Sequence, residues 1–150
     1  MKRTWFAGLL SLALVLVISG GITRTGLGAQ APQAPAYKVV FDLTSSDPLD
    51  QQAVLRWIKE VSAVNPKNEL EVVMYGRGLD LVVSGKSANA AGVAEAISGS
   101  HATFNVCAIA MKNQQIDKSQ LLPNVRTVPD GIGEIVAKQH AGWGYIKVGH

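Results

Sequence analysis

The only cysteine of this 150-residue chain, Cys107, closes the apolar run Phe104-Asn105-Val106-Cys107-Ala108, where strand-like residues give way to a helical stretch. In open α/β sheets the carboxyl ends of strands are where ligands and reacting groups gather, because loops converge there with helix N-termini. A thiol beside a helix start is favoured as the thiolate, the nucleophilic form. The chemistry open to it is therefore nucleophilic attack, redox exchange or transfer of a bound group. Free cysteine is also among the most buried residue types, so an inert, packed thiol is the competing reading.

Few other residues could assist. Lys112 follows the cysteine on the same expected helix, about one turn on, where its charge would steady a thiolate or an anionic sulfur species. Asp42 lies just past the first expected strand, on the same sheet edge as Cys107 if the strands run parallel, with Thr44, Ser45 and Ser46 following it. These groups would orient a substrate or cap the next helix. Gly76-Arg77-Gly78 resembles the start of a dinucleotide loop, but Leu81 stands where the third glycine belongs, so the motif reads as a tight turn with Arg77 free to meet an anion. His101 lies one strand length before the cysteine, roughly 20 Å away at about 3.3 Å per residue, too far for a thiolate–imidazolium pair. His140 suits a helix C-terminus, and His150 ends the chain. No histidine spacing calls for a metal, a lone cysteine excludes multi-cysteine zinc sites and internal disulfides, and no cofactor motif is present.

The elements that must position these groups alternate. Tyr37–Phe41 is β-branched and aromatic, and reads as a first strand. Asp47-Pro48 announces a helix, with Asp47 as N-cap, Pro48 in the first turn and an apolar stripe of Leu49, Ala53, Val54, Ile58 and Val61. Leu70–Tyr75 reads as a second strand, and Leu79–Val83 fits either strand or short helix. An alanine-rich helix runs from Ser87 or Asn89 to Ile97, with Gly99 placed to end it. After the cysteine strand, Asp117 caps a short turn and Val125–Val128 forms a fourth strand. Pro129 then opens a helix through His140, and Trp143–Val148 makes a fifth strand after Gly142. Alternation at this spacing predicts a mainly parallel sheet covered on both faces.

The N-terminus reads differently. Lys2 and Arg3 precede the apolar run Trp5–Ile18, shorter than the roughly twenty residues a spanning helix needs, so residues 1–29 are expected to be a signal peptide, with an uncleaved anchor as the alternative. A Pro/Ala-rich tether over 30–36 leads to a single domain over 37–150. Lys2, Arg3 and Arg24 account for the whole formal net charge of +3. The remaining chain is formally neutral, which removes the electrostatic case for a nucleic-acid partner. The expected location is exported and periplasmic, with membrane contact only through the N-terminal segment.

The stretches Val106–Lys112, Glu71–Leu79, Leu121–Val125 and Val128–Ile135, together with Gln139 and Gly142–Lys147, resemble the DsrE/DsrF-like family. The resemblance spans about Tyr37 to Lys147. It implies a five-stranded parallel sheet in a three-layer α/β/α sandwich and assembly into homotrimers or homohexamers. In sulfur-relay members the cysteine at the position of Cys107 carries sulfur as a persulfide. Where those members place a basic pair and a glycine, this chain has Asn113, Gln114 and Gln115, leaving Lys112 as the nearby positive charge. The expectation is therefore an exported protein that binds or transfers sulfane sulfur through Cys107, supported by Lys112, Arg77 and Asp42. Its partners would be a small sulfur species or an acceptor thiol protein. The alternative is a non-catalytic oligomeric binding or interaction module with a structural cysteine.

Overall fold

The computed structural model describes residues 35–149. The leader expected over 1–29, residues 30–34 of the tether, and His150 lie outside the described residues. The elements are β1 (Lys38–Leu43), α1 (Pro48–Val64), β2 (Glu69–Met74), α2 (Ala90–Gly99), β3 (Thr103–Cys107), α3 (Ala108–Asn113), β4 (Arg126–Val128), α4 (Gly131–His140) and β5 (Gly144–Val148). Short 3-10 turns span Gly76–Leu81 and Lys118–Gln120.

All five strands pair in parallel, in the order β4-β3-β2-β1-β5. From β1 to β4 each crossover steps the same way, and right-handed connections stack their helices on one face. The chain must then return across the whole sheet to β5, which puts α4 on the opposite face. Side-chain alternation follows this division. Phe41, Leu43, Val72, Met74, Phe104 and Val106 point to the first face and form the main core with Val54, Ile58, Leu79 and Val93. On the second face only Val40 and Val73 meet Ile135 of α4, with Tyr75 and Trp143 packed beside them. Asp42, Glu71 and Asn105 make much of the rest of that face polar. Glu71, 3 % exposed, pairs there with Lys138 of α4 and ties the helix to the sheet.

Local signals mostly act as the sequence predicts. The Asp47 carboxylate accepts the Leu49 N–H at 2.8 Å and Pro48 opens α1. Asp117 and Gln120 form a capping box, and Gly142 leaves α4 at φ +82°. The ambiguous Leu79–Val83 piece divides: the 3-10 turn ends at Leu81 and Val83 makes an isolated antiparallel bridge with Leu121, with Leu79, Leu81, Val82 and Val83 all buried. Gly99 is the last residue of α2 rather than the one after it, and His101 takes the left-handed position at φ 53°. Asp130, not Pro129, caps α4, which begins at Gly131. Leu49 leaves the expected stripe and is 71 % exposed, while Gln51 is turned inward. The sheet-facing line of α1 runs Gln51, Val54, Ile58, and Leu49 lies some 200° around the helix from Gln51 at about 100° per residue.

The Gly76–Leu81 turn packs directly on the end of β1. A methyl group at Gly78 would lie 2.1 Å from the carbonyl oxygen of Leu43, a backbone atom that cannot swing aside. Gly78→Ala is therefore expected to cost about 1–3 kcal/mol, the range of overpacked sites, seen as a lower urea midpoint at unchanged m. An unchanged midpoint would contradict this close approach.

Candidate functional site

Cys107 is the last residue of β3 and the N-cap residue of α3, but its side chain makes no capping bond. It is 4 % exposed. Strand alternation sends the thiol to the second face, where α4 starts. A methyl on Gly131 would stand 3.0 Å from Cys107 Cβ, 3.3 Å from Val73 Cγ1 and 3.4 Å from Tyr75 Cδ1. Only a glycine lets the first turn of α4 come this near the cysteine. Asp130 fixes that turn, its carboxylate accepting the Ile132 N–H at 3.1 Å.

The thiol therefore sits where the connections after β3 and β4 part to opposite faces of the sheet. Cys107 and Val128 are register partners on these adjacent strands. Such a reversal point is where open α/β sheets form their crevice. Here the crevice is a cavity of about 330 Å³, walled by Tyr75, Ile109, Ala110 and Ile132, with Asn113, Gln114 and Asp130 supplying polar groups. Among the described residues no cationic side chain lines it.

Asp42 lies two strands away and reaches this cavity through Tyr75. It is 4 % exposed and accepts from Tyr145 OH at 2.7 Å, from Tyr75 OH at 3.3 Å and from Lys147 Nζ at 3.3 Å. Lys147 also donates to Thr44 Oγ1 at 2.7 Å and stands 5.9 Å from the Tyr75 ring centre. The Tyr75 hydroxyl is pushed above its ordinary pKa by burial first, then by the Asp42 charge and hydrogen bond and by nearby Cys107. Tyr145 is pushed up to about 12, chiefly by its hydrogen bond to Asp42 and then by burial. Tyr75 is thus clamped by its hydroxyl while its ring forms a cavity wall.

The four residues singled out from sequence separate. Cys107 is in the cavity and Asp42 anchors its Tyr75 wall. Lys112 is exposed on α3 and is not part of the lining, which on this side comes from Ile109, Ala110, Asn113 and Gln114. Arg77 points to a neighbouring cavity and meets Asp80 at 3.5 Å. Ser45 accepts the Asp47 N–H at 3.0 Å, a purely local turn contact. Among the described residues no group of three or more His, Cys, Asp or Glu is placed to hold a metal ion, and no helix is long and apolar enough to cross a membrane. Sequence reasoning missed Tyr75, Asp130 and Gly131. Tyr75 was legible in part, since alternation from Val73 and the parallel register set it beside Cys107.

Residues 38–148 match the model of the DsrE/DsrF-like family. The chain belongs to that family. The DsrE/DsrF-like family is associated with sulfur relay, and the all-parallel five-stranded sheet is the architecture its resemblance implied. Among solved structures, a protein of unknown function from Methanobacterium thermoautotrophicum, MTH1491, is 28 % identical with a TM-score of 0.70, over 74 % of this chain and 98 % of that one. BT1422 from Bacteroides thetaiotaomicron, also of unknown function, is 14 % identical with a TM-score of 0.61, over 74 % and 94 % of the two chains. The ychN protein of E. coli is 9 % identical at a TM-score of 0.62, over 75 % and 99 %. No curated protein matches the chain.

The Tyr145–Asp42 bond carries a pH signature. Because the folded-state pKa lies above the ordinary 10.0, the stabilisation it contributes is present below pH 10 and is lost as pH rises through about 12. Phenolate absorbance, with Tyr145→Phe as the difference reference, should show Tyr145 titrating near 12 in wild type and moving back toward 10 in Asp42→Asn. A wild-type midpoint at the ordinary tyrosine value would contradict the bond.

Proposed function

We propose that this protein binds and transfers sulfane sulfur through Cys107. The observation that supports this reading is the placement of the chain's one thiol in an apolar cavity at the β3/β4 reversal point, with Gly131 packed against it. A thiolate there attacks the outer sulfur of a persulfide or polysulfide, R–S–SH. The donor S–S bond breaks as the Cys107–sulfur bond forms, R–S⁻ leaves with the electron pair, and Cys107–S–SH remains. Attack on that outer sulfur by an acceptor thiolate reverses the sequence and restores the cysteine. No net oxidation occurs, so no further cofactor is required. Ile109, Ala110, Ile132 and the Tyr75 ring shield the sulfur from water, and the amide end of α3, which has no side-chain cap, supplies positive potential in place of a lysine, the α4 end being already met by the Asp130 carboxylate.

The partner is a small sulfur species or an acceptor thiol protein. Ile109 and Ile132 are 53 % and 58 % exposed while also lining the cavity, so its mouth is an apolar rim suited to a docking protein or to another copy in a homotrimer or homohexamer. The charged-then-apolar N-terminus supports export to the periplasm. A second reading has a specific observation in its favour. At 4 % exposure Cys107 is as buried as a packing residue, which fits an oligomeric binding or interaction module with a structural cysteine.

Intact mass separates the two. Reduced wild type incubated with polysulfide should gain sulfur removable by a reducing thiol, and Cys107→Ser should gain none. A folded wild type that stays unmodified would leave the structural-cysteine reading standing.

A further inference from the structure

A second cavity, about 620 Å³, opens beside the cysteine crevice at the carboxyl ends of β1 and β2. Its wall includes Ser46, Gln51, Arg77, Lys86, Asp80 and Gln114. Gln114 lines both cavities, and its side-chain amide donates to the carbonyl of Gly76, the residue before Arg77. The cysteine site and this cavity are therefore neighbours across one glutamine.

Gln51 is the unexpected member. It is 3 % exposed, occupies the sheet-facing line of α1, and its Nε2 has no hydrogen-bond partner. Leaving a buried amide donor unmet costs about 1–3 kcal/mol, so a polar residue on this line needs a compensating role. The remaining groups match the unmet donor in kind. Arg77 and Lys86 meet a single carboxylate, Asp80, at 3.5 and 3.7 Å, leaving one cation in excess. Both are solvent-exposed, at 72 % and 52 %, and such pairs hold weakly enough for the cations to swing onto a ligand. Ser46 adds a hydroxyl.

The geometry points to an oxyanion-binding site in this cavity, taking the carboxylate, sulfonate or phosphate group of a small acid. Gln51 donates from the floor, Arg77 and Lys86 close from the rim, and Asp80 keeps the two cations poised when the site is empty. The α1 N-terminus is not the main element, because Asp47 already accepts the Leu49 N–H. The assignment does not depend on sulfur chemistry at Cys107, although an acid held here would lie next to the thiol.

The test is an NMR titration of the full-length protein with sodium sulfate at constant ionic strength, chloride serving as the control, with parallel acetate and phosphate series to distinguish oxyanion types. Saturable shifts at Gln51, Arg77 and Gln114, retained in Cys107→Ser, are the expected result. Arg77→Ala and Lys86→Ala, both at exposed positions, should each weaken binding by about ten-fold, as should Gln51→Leu. Non-saturable shifts, or equal affinity in wild type and the two rim variants, would overturn the site. Because the readout is binding and includes Cys107→Ser, a failure of sulfur transfer leaves this result interpretable.

Discussion

A parallel sheet ordered β4-β3-β2-β1-β5 has one long return, from the β4 edge back to β5, and the site depends on how that return is made. Right-handed crossovers fill one face with α1, α2 and α3, so the last helix is left with the other. That face is thinly apolar, with Val40 and Val73 under Ile135, and α4 is held instead by the Glu71–Lys138 pair and by the close seat of Gly131 on Cys107. Glu71 is buried and Lys138 is half-buried, so loss of Lys138 would leave a buried carboxylate without its cation, which makes this contact central to α4's position. The cysteine crevice exists because α3 and α4 leave neighbouring strands in opposite directions.

The polar second face also organises the cavity wall. Tyr75 follows β2, its ring packed beside Val40 and Val73 and its hydroxyl held by Asp42, which Tyr145 and Lys147 also bind. A buried carboxylate with three donors is a stable arrangement, because each partner offsets part of the desolvation cost. The result is a rigid aromatic wall next to a thiol, built from residues of β1, β2 and β5. Cys107 belongs to the buried core and also lines the cavity, so its burial and its placement beside a shaped cavity are compatible.

The main architecture was readable in the sequence because its signals are local. Asp47-Pro48, Asp117 and Gly142 punctuate the chain through their own backbone geometry, and the β-branched and aromatic segments Tyr37–Phe41, Leu70–Tyr75 and Phe104–Ala108 mark the first three strands, although β1 runs on through Asp42 and Leu43. The strand-end position of Cys107 was legible for the same reason. The cavity was not, since its walls come from Tyr75, Ile109 and Ile132, brought together only by register and by the return of α4. Lys112 illustrates the limit. Proximity in sequence set it near the cysteine, but on a six-residue helix the buried positions are Ala110 and Met111, and the positions that line the cavity are Ile109, Ala110 and Asn113. Gln51 and Leu49 exchange their expected environments because the helix phase is set by contact with the sheet, which a hydropathy pattern does not encode.

The central claim is that Cys107 meets small molecules through its cavity in the native state. The rate of its alkylation by a small neutral reagent, followed across increasing urea below the unfolding transition, tests this directly. A rate that is independent of urea in this range means access through the native cavity and is the result expected here. A rate that rises with urea in proportion to the globally unfolded fraction would show a thiol reached only by unfolding, and would contradict the account.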